Sequence, residues 1–347
     1  MNLCSILLKI IYKIDGERTI YSGLHLLRGK RSGQTLQDVE YYGLKAFFGL
    51  LPKLSTERFE EAIKHLQGAG LIRMTDESLV GLTERGRAQV VELPIYRFNG
   101  WDYRGREMIF FARLSLIVQT VSNLRTGEKS FLPIQKEWDI QSFVKKALAY
   151  QPIQDPVFAS SLGEELRQGM HRSGMGDRQK QIMTHRLAGY GLTGWTWEQL
   201  AQELKLDPLA VRLLFIEALH KLLAVIEVST DLPFLRKIAE NIKVTTYLTE
   251  SSMRTKRLFE EGLSMQEIAV ARKLKQSTIE DHFVEMAIHD PAFPLYQFVE
   301  AADVTAVVAK VNASGTRRLR LLKAEFDRLS YFQLRLILGA RTGGEVS

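Results

Sequence analysis

The sequence has little of what disulfide-linked, metal-binding or catalytic proteins need. Its 347 residues include one cysteine, Cys4, which excludes an internal disulfide and fits a reducing compartment. The seven histidines follow no HExxH spacing and have no cysteine neighbours, so we predict no metal site. No P-loop motif of the GxxxxGKS or GxxxxGKT type and no GxSxG elbow is present. We therefore predict a protein that is not an enzyme, has no catalytic residues and needs no cofactor.

Long apolar runs are also missing. No stretch reaches the about 18 uncharged apolar residues that a membrane span requires. Residues 1–14 are apolar but contain Lys9, and no small-residue cleavage site follows them. We interpret this segment as a buried first helix or strand and not as a signal peptide. The prediction is a cytoplasmic protein with no membrane contact.

What remains is an ordinary globular composition with a basic balance. Hydrophobic residues make up 45% and charged residues 25% of the chain, and the net charge is +7. The length allows two or three domains, each with its own core. The positive charge permits a nucleic-acid partner without requiring one.

The stretch from residue 254 to residue 288 has the signals of a helix followed by a helix-turn-helix. Gly262 can end a helix in the left-handed conformation. Ser264 with Glu267 forms the capping box of a next helix, and Ser277 with Glu280 predicts a second one. Two short helices joined by a few residues can offer the second helix to a DNA major groove.

This stretch resembles the helicase-associated helix-turn-helix domain of some RecQ-type helicases and of the YpbB-like proteins of Gram-positive bacteria. The resemblance is carried by residues 258–264, 267–269, 277–282 and, further along, 329–335. Because no ATPase core lies beside it, the resemblance favours the stand-alone YpbB-like type. It implies a partner that is a RecQ-type helicase.

Two other segments predict further modules. Between residues 17 and 90 the order is helix, helix, helix, hairpin, which is similar to the winged-helix domain of RecQ helicases, with residues 29–35 as the shared feature. Residues 177–224 resemble the last helix-turn-helix, region four, of bacterial sigma factors. Its second helix is apolar nearly all round, which predicts burial and a loss of promoter reading. We expect four residues of this helix to break the surface: Arg212, Glu217, His220 and Lys221.

The predicted fold class is mainly α, a multi-domain helix-turn-helix protein with a small β wing in an N-terminal winged-helix module. We predict a winged-helix-like domain at residues 1–92 and a helical connecting region at 93–175. A sigma-region-four-like module follows at 176–247, and the helicase-associated domain at 248–347 completes the division.

The candidate DNA-binding residues form three groups. Those at the start of the second helix of the C-terminal motif suit phosphate, because a helix N-terminus offers free N–H groups and a positive dipole end: Lys273, Lys275, Gln276, Ser277 and Thr278. A second group lies in a segment, 310–341, whose eight positive and two negative residues give +6: Arg317, Arg318, Arg320 and Lys323. A third group lies in the glycine-flanked loop: Arg28, Lys30 and Arg31. For the second and third groups a solvated basic surface is an equal alternative.

Three acidic residues, Glu280, Asp281 and Glu285, follow on the same second helix and favour a solvated or protein-facing surface there. DNA contacts are therefore expected mostly at phosphates, with weak sequence preference. The function predicted is a non-enzymatic, nucleoid-associated DNA-binding accessory protein that partners a RecQ-type helicase in DNA repair or recombination. The alternative is a transcription regulator or sigma-like factor that reads promoter DNA.

Overall fold

The computed structural model describes residues 1–75, 79–245 and 247–342, with the side chains of residues 341 and 342 outside the description. Helices α1–α5 are Leu3–Ile14, Ile20–Arg28, Gly33–Tyr41, Thr56–Gly68 and Glu84–Glu92, and strands β1 and β2 are Ile72–Met74 and Val80–Leu82. Helices α6–α13 are Gly100–Tyr103, Glu107–Arg125, Trp138–Leu148, Pro156–Arg172, Asp177–His185, Trp197–Leu204, Pro208–Val228 and Pro233–Ile238. Helices α14–α19 are Glu250–Glu260, Met265–Arg272, Gln276–His289, Ala301–Ser314, Leu319–Glu325 and Tyr331–Thr342.

The predicted fold class is confirmed: helices dominate, and the described residues contain one two-stranded antiparallel sheet. In this sheet Ile72 pairs with Leu82 and Met74 with Val80. The elements α2, α3, α4, β1 and β2 follow one another in the order predicted for a winged helix. Residues 1–14, interpreted as a buried helix or strand, form the buried helix α1.

The chain divides into two compact units. The middle unit comprises residues 1–6 and 93–244, and the split unit comprises residues 7–92 and the chain from 245 onward. Of the four segments predicted from the sequence, the first and last therefore share the split unit, whereas 93–244 form one body. The boundary predicted at residue 175 falls inside the core of the middle unit, where Met175 is buried.

Helix α12 is the centre of the middle unit. Val211, Leu213 and Phe215 are fully buried, and the Phe215 ring meets Phe111 of α7 edge to face at 4.8 Å. Asp207 caps the helix by accepting hydrogen bonds from the backbone N–H groups of Leu209 and Ala210, at 2.8 and 3.3 Å. The burial predicted from the apolar circumference of this helix is observed.

Two residues of α12 that were predicted to reach the surface do not. Glu217 is 5% exposed and accepts a hydrogen bond of 2.7 Å from the backbone N–H of Arg97, while His220 is 2% exposed and accepts one of 2.9 Å from Asn99. The prediction was wrong because these side chains satisfy backbone donors of a segment about 120 positions earlier, which no local pattern shows.

The split unit is held together where α3 packs against α16 and α19. Arg335 of α19 forms an ion pair with Asp281 of α16. With the Gln37 amide turned so that its oxygen faces the guanidinium, Arg335 also donates to it at 2.8 and 2.9 Å. Tyr41 donates from its hydroxyl to the Arg335 carbonyl at 3.2 Å. Helices from the two ends of the unit thus share one partly buried polar cluster.

Gly33 opens α3 at the point where this cluster is tightest. A β-carbon at this position would lie 2.9 Å from Oδ1 of Asp281 and 3.0 Å from Nη2 of Arg335. The glycine is therefore required by close approach, and not by its backbone conformation.

We expect Gly33→Val to lower the free energy of unfolding of the full chain by about 1–3 kcal/mol, because the larger side chain forces α3 away from the ion pair. Urea unfolding monitored by circular dichroism measures the change. Gly68→Ala is the matched control, since a β-carbon at this helical glycine meets nothing within 4 Å. Equal stability of the Gly33→Val and wild-type chains would contradict this packing.

Candidate nucleic-acid interface

The helix-turn-helix lies in the split unit and is built from local signals. Gly262 ends the α14 turn with a φ of +93°, and Lys273 ends α15 in the left-handed conformation. The predicted capping box of α15 is confirmed: Ser264 N donates to Glu267 Oε2 at 2.8 Å, and Glu267 N donates to Ser264 Oγ at 3.3 Å. The turn between α14 and α15 is therefore fixed by Gly262 and the capping box, and the turn between α15 and α16 begins at the left-handed Lys273.

The second capping box, Ser277 with Glu280, does not form. Helix α16 already begins at Gln276, with Lys275 as a cap residue that makes no side-chain cap hydrogen bond. Ser277 thus lies inside the first turn. Because no side chain caps this end, the first N–H groups of α16 are left for solvent or for a ligand.

The predicted DNA-contacting residues of this motif lie together at that end. Lys273, Lys275, Gln276 and Ser277 are exposed, and Thr278 is half-buried. Two lysines, two polar side chains and an uncapped helix N-terminus are a suitable surface for a phosphate.

Beyond its first turn, α16 is not a recognition helix that a major groove can reach. Every residue from His282 to Ile288 is buried. Phe283 meets Phe259 of α14 at 4.8 Å, and a β-carbon on Gly339 of α19 would lie 2.9 Å from Ile288. Since α14, α15, α19 and α3 all pack on this helix, the polar outer face expected from the sequence is covered.

Two of the three acidic residues of α16, Asp281 and Glu285, contact protein, which was one of the two surfaces expected for them, and Glu280 is half-buried. Asp281 pairs with Arg335, as described above. Glu285 accepts hydrogen bonds from Thr249 N at 2.6 Å, from the Thr249 hydroxyl at 3.1 Å and from the Ser252 hydroxyl. It therefore holds the N-terminus of α14, and its charge is used inside the fold.

The second predicted patch is largely engaged in the fold. Lys323 donates to the Leu329 carbonyl at 2.8 Å and also to the Asp327 carbonyl. Arg317 is half-buried and its backbone N–H donates to Glu17 at 2.8 Å. Arg318 is also half-buried, and Arg320 is exposed.

The charge count of this region overstates its attraction for DNA. Lys310 forms an ion pair of 2.6 Å with Glu325, and Arg328 pairs with Asp303. With Arg335 also paired, three of the eight positive charges are compensated by acidic residues.

The third predicted group lies in the loop before α3. Arg28 is tied to the Leu54 carbonyl at 2.8 Å and to the Thr56 hydroxyl at 3.0 Å. Lys30 and Arg31 are exposed, and Arg31 donates to the carbonyl of Tyr247 at 3.1 Å. The structure therefore places this basic loop against the residues that lead into the helix-turn-helix.

Sequence reasoning missed the residues that position α16. Gln37 and Tyr41 stand four apart on α3, so both face the same neighbour, and both are buried. A polar pair at this spacing in a buried helix was the available signal. The spacing of this pair gives no information about which distant helix the two side chains contact.

Comparison with known proteins gives two matches. A family model described as a helix-turn-helix domain covers residues 251–338. The chain is 30% identical over 340 residues to Protein YpbB of Bacillus subtilis (strain 168), a match that covers 95% of each chain. The chain belongs to the YpbB family. No solved structure matches it.

Membership of the YpbB family confirms the YpbB-like part of the predicted resemblance, and the helix-turn-helix match supports DNA binding by the split unit. Within residues 1–75, 79–245 and 247–342, no helix is long and apolar enough to cross a membrane. The same residues contain no group of three or more histidine, cysteine or carboxylate side chains arranged to hold a metal ion.

His282 couples the helix-turn-helix to pH. Burial, and after it the positive charge of Arg272, lower the pKa of His282 to about 4. The Thr255 hydroxyl and Nδ1 of His282 share a hydrogen bond of 2.8 Å. In the unfolded chain the imidazole has a pKa of about 6.5. The neutral ring therefore stabilises the fold at neutral pH, and this contribution is lost as the pH falls from about 6.5 to about 4.

We expect the midpoint of urea unfolding to decrease between about pH 7 and about pH 5, and this decrease to shrink in His282→Gln. His65→Gln, which replaces an exposed histidine of α4 in the same unit, should keep the wild-type pH dependence. An identical pH dependence in the His282→Gln variant would contradict this assignment.

Proposed function

We propose that this YpbB-family protein is a non-enzymatic, nucleoid-associated accessory protein that binds DNA and partners a RecQ-type helicase in DNA repair or recombination. One observation carries the DNA-binding part. Gln276 and Ser277 in the first turn of α16 are exposed beside the exposed Lys273 and Lys275, which precede the helix, while residues 282–288 of that helix are buried.

This arrangement favours phosphate contacts over base reading. Sequence is read by side chains that reach base edges in a groove, usually from several turns of one helix. Here about one turn of α16 is accessible. Its lysines and free N–H groups suit the backbone of any sequence. Affinity that falls steeply with salt and varies little with sequence is the expected behaviour.

Replacing Lys273 and Lys275 together by alanine should weaken binding of duplex DNA uniformly across sequences. The slope of log affinity against log salt should decrease by about 0.9 for each phosphate that the variant no longer neutralises. Fluorescence anisotropy with two unrelated duplexes over a salt series measures both effects.

The control replaces Lys53 and Lys64, two exposed lysines of the same unit, by alanine. This variant lowers the net charge equally, so a general charge effect would weaken both proteins alike. If only the Lys273/Lys275 variant is impaired, the site is supported. If both or neither are impaired, the DNA surface lies elsewhere, and Lys30 and Arg31 become the first residues to replace.

The helicase partnership rests on the resemblance of residues 258–264, 267–269, 277–282 and 329–335 to the helicase-associated domain. The winged-helix order of α2–β2 adds to it, because RecQ-type helicases carry such a module in the same chain as their motor. The sequence itself has no P-loop motif. A protein that supplies DNA-binding modules while another chain supplies ATP hydrolysis fits these observations.

Purified protein should co-elute with the RecQ-type helicase of the same cell and change its rate of DNA unwinding, while hydrolysing no ATP alone. Size-exclusion chromatography, an unwinding assay and a phosphate-release assay test the three statements. Absence of a complex together with unchanged unwinding would contradict the partnership. ATP turnover by the isolated chain would contradict the non-enzymatic role.

Promoter reading through residues 177–224 is less well supported. In α12, the helix that would enter the groove, the apolar side is buried in the middle unit. Of its polar residues, Lys221 donates to Gln179 Oε1 at 3.0 Å, whereas Arg212 is exposed and lies over the ring of Trp197 at 5.4 Å. A single exposed arginine can contact few base edges, so it gives little sequence selectivity.

A further inference from the structure

The middle unit carries an apolar groove on a face that none of the predicted DNA-binding residues occupies. It runs beside α8, has a volume of about 420 Å³, and is lined by α7, α8 and the segments that flank α8. The lining includes Phe131, Pro133, Val144, Lys145 and Leu148. We call it the α8 groove.

Two large aromatic side chains stand in water at the two ends of α8. Trp138, its first residue, is 76% exposed, and Tyr150, two residues beyond its end, is 96% exposed. At a rise of about 1.5 Å per residue, the ten helical steps from Trp138 to Leu148 correspond to about 15 Å, and Tyr150 follows two residues later. The length of α8 matches about four stacked nucleotides at 3.4 Å each.

Lysines accompany each aromatic residue along this stretch. Lys129 precedes Phe131 by two positions, Lys136 precedes Trp138 by two, and Lys145 and Lys146 precede Tyr150. All four lysines are exposed, and within the part of the chain that the structure describes none of them forms an ion pair. Residues 125–151 contain five positive and three negative side chains, a net charge of +2.

The wall of the groove opposite α8 is held in place. Gln119 of α7 donates to the Leu132 carbonyl at 3.1 Å and accepts from the Ile134 N–H at 2.8 Å. Gln141 of α8 donates to the Gln135 carbonyl at 2.9 Å. Two glutamines thus anchor the extended segment between the helices, so the surface is preformed and little ordering entropy is lost when a ligand binds.

We propose that the surface formed by α8 and the α8 groove binds single-stranded DNA. Bases would stack on Trp138 and Tyr150, which lie at the two ends of α8 outside the groove lining, and phosphates would lie near the four lysines, of which Lys145 lines the groove. Exposed aromatic rings interleaved with cations are the surface that binds single strands without sequence preference. In a duplex the faces of the bases are already stacked on one another, so they cannot stack on the rings of Trp138 and Tyr150. The choice of DNA over RNA rests on the proposed function, and the groove is independent of the lysines of α16.

The test uses the full-length protein and a fluorescent oligodeoxythymidine at low salt. Trp138→Ala and Tyr150→Ala should each weaken binding about five-fold or more, the loss associated with one stacked base. Trp138→Phe should retain most of the affinity, because a smaller ring still stacks. Lys145→Ala with Lys146→Ala should lower the salt slope by about 0.7 for each phosphate that is no longer neutralised.

Tyr190→Ala is the matched control, since Tyr190 is an exposed tyrosine of the same unit on another segment. Circular dichroism melting checks that each variant folds, as the exposure of Trp138 and Tyr150 leads us to expect. Wild-type binding by both Trp138→Ala and Tyr150→Ala, or no binding by the wild-type protein, would overturn the proposal.

Two further results would also overturn it. Loss of oligothymidine binding in the Lys273/Lys275 variant, with the α8 variants unaffected, would place the strand on the split unit. Loss of helicase binding in the α8 variants, with oligothymidine affinity unchanged, would make the groove a protein-docking surface. Because duplex binding and helicase binding are measured separately, failure of the groove and failure of the proposed function are distinguishable.

Discussion

The side chain of Arg335 connects three helices of the split unit. Its guanidinium pairs with Asp281 of α16 and donates to the buried amide of Gln37 on α3. The backbone carbonyl of Arg335 accepts a hydrogen bond from the Tyr41 hydroxyl. Burial raises the pKa of the Tyr41 hydroxyl, so this group remains a donor at any physiological pH. A partly buried ion pair contributes little net stability, but removing one partner leaves the others unsatisfied. This cluster therefore fixes which helices meet.

The same packing decides what the helix-turn-helix can do. If α3 and α19 did not cover α16, the face of the helix that they occupy would be available to a groove, while α14 and α15 would still cover another face. With them in place, the exposed part is the uncapped end with Lys273 and Lys275. Two of the three acidic residues that would repel DNA are used inside the fold, Asp281 by Arg335 and Glu285 by the start of α14. The result is a small, positively charged surface on a rigid support.

Local features of the fold were predictable from the sequence, and pairings between distant segments were not. The Ser264–Glu267 capping box and the helix end at Gly262 depend on residues within four positions of each other, and both formed as predicted. The Ser277–Glu280 box had the same pattern but failed, because α16 starts two positions too early for Ser277 to cap it. The burial of Glu217 and His220 depends on partners about 120 positions away, and the meeting of α3 with α19 on residues almost 300 apart. Side-chain periodicity carries no signal for such pairs.

The split unit also has a consequence for synthesis on the ribosome. Gln37 and Tyr41 are made almost 300 residues before Arg335. At a synthesis rate of about 5–20 residues per second, the surface of α3 that carries Gln37 and Tyr41 is exposed for roughly 15–60 s before Arg335 is made. The middle unit, whose residues are almost all contiguous, can complete its core during that interval. The side of α3 that packs on α16 and α19 therefore stays uncovered during that interval.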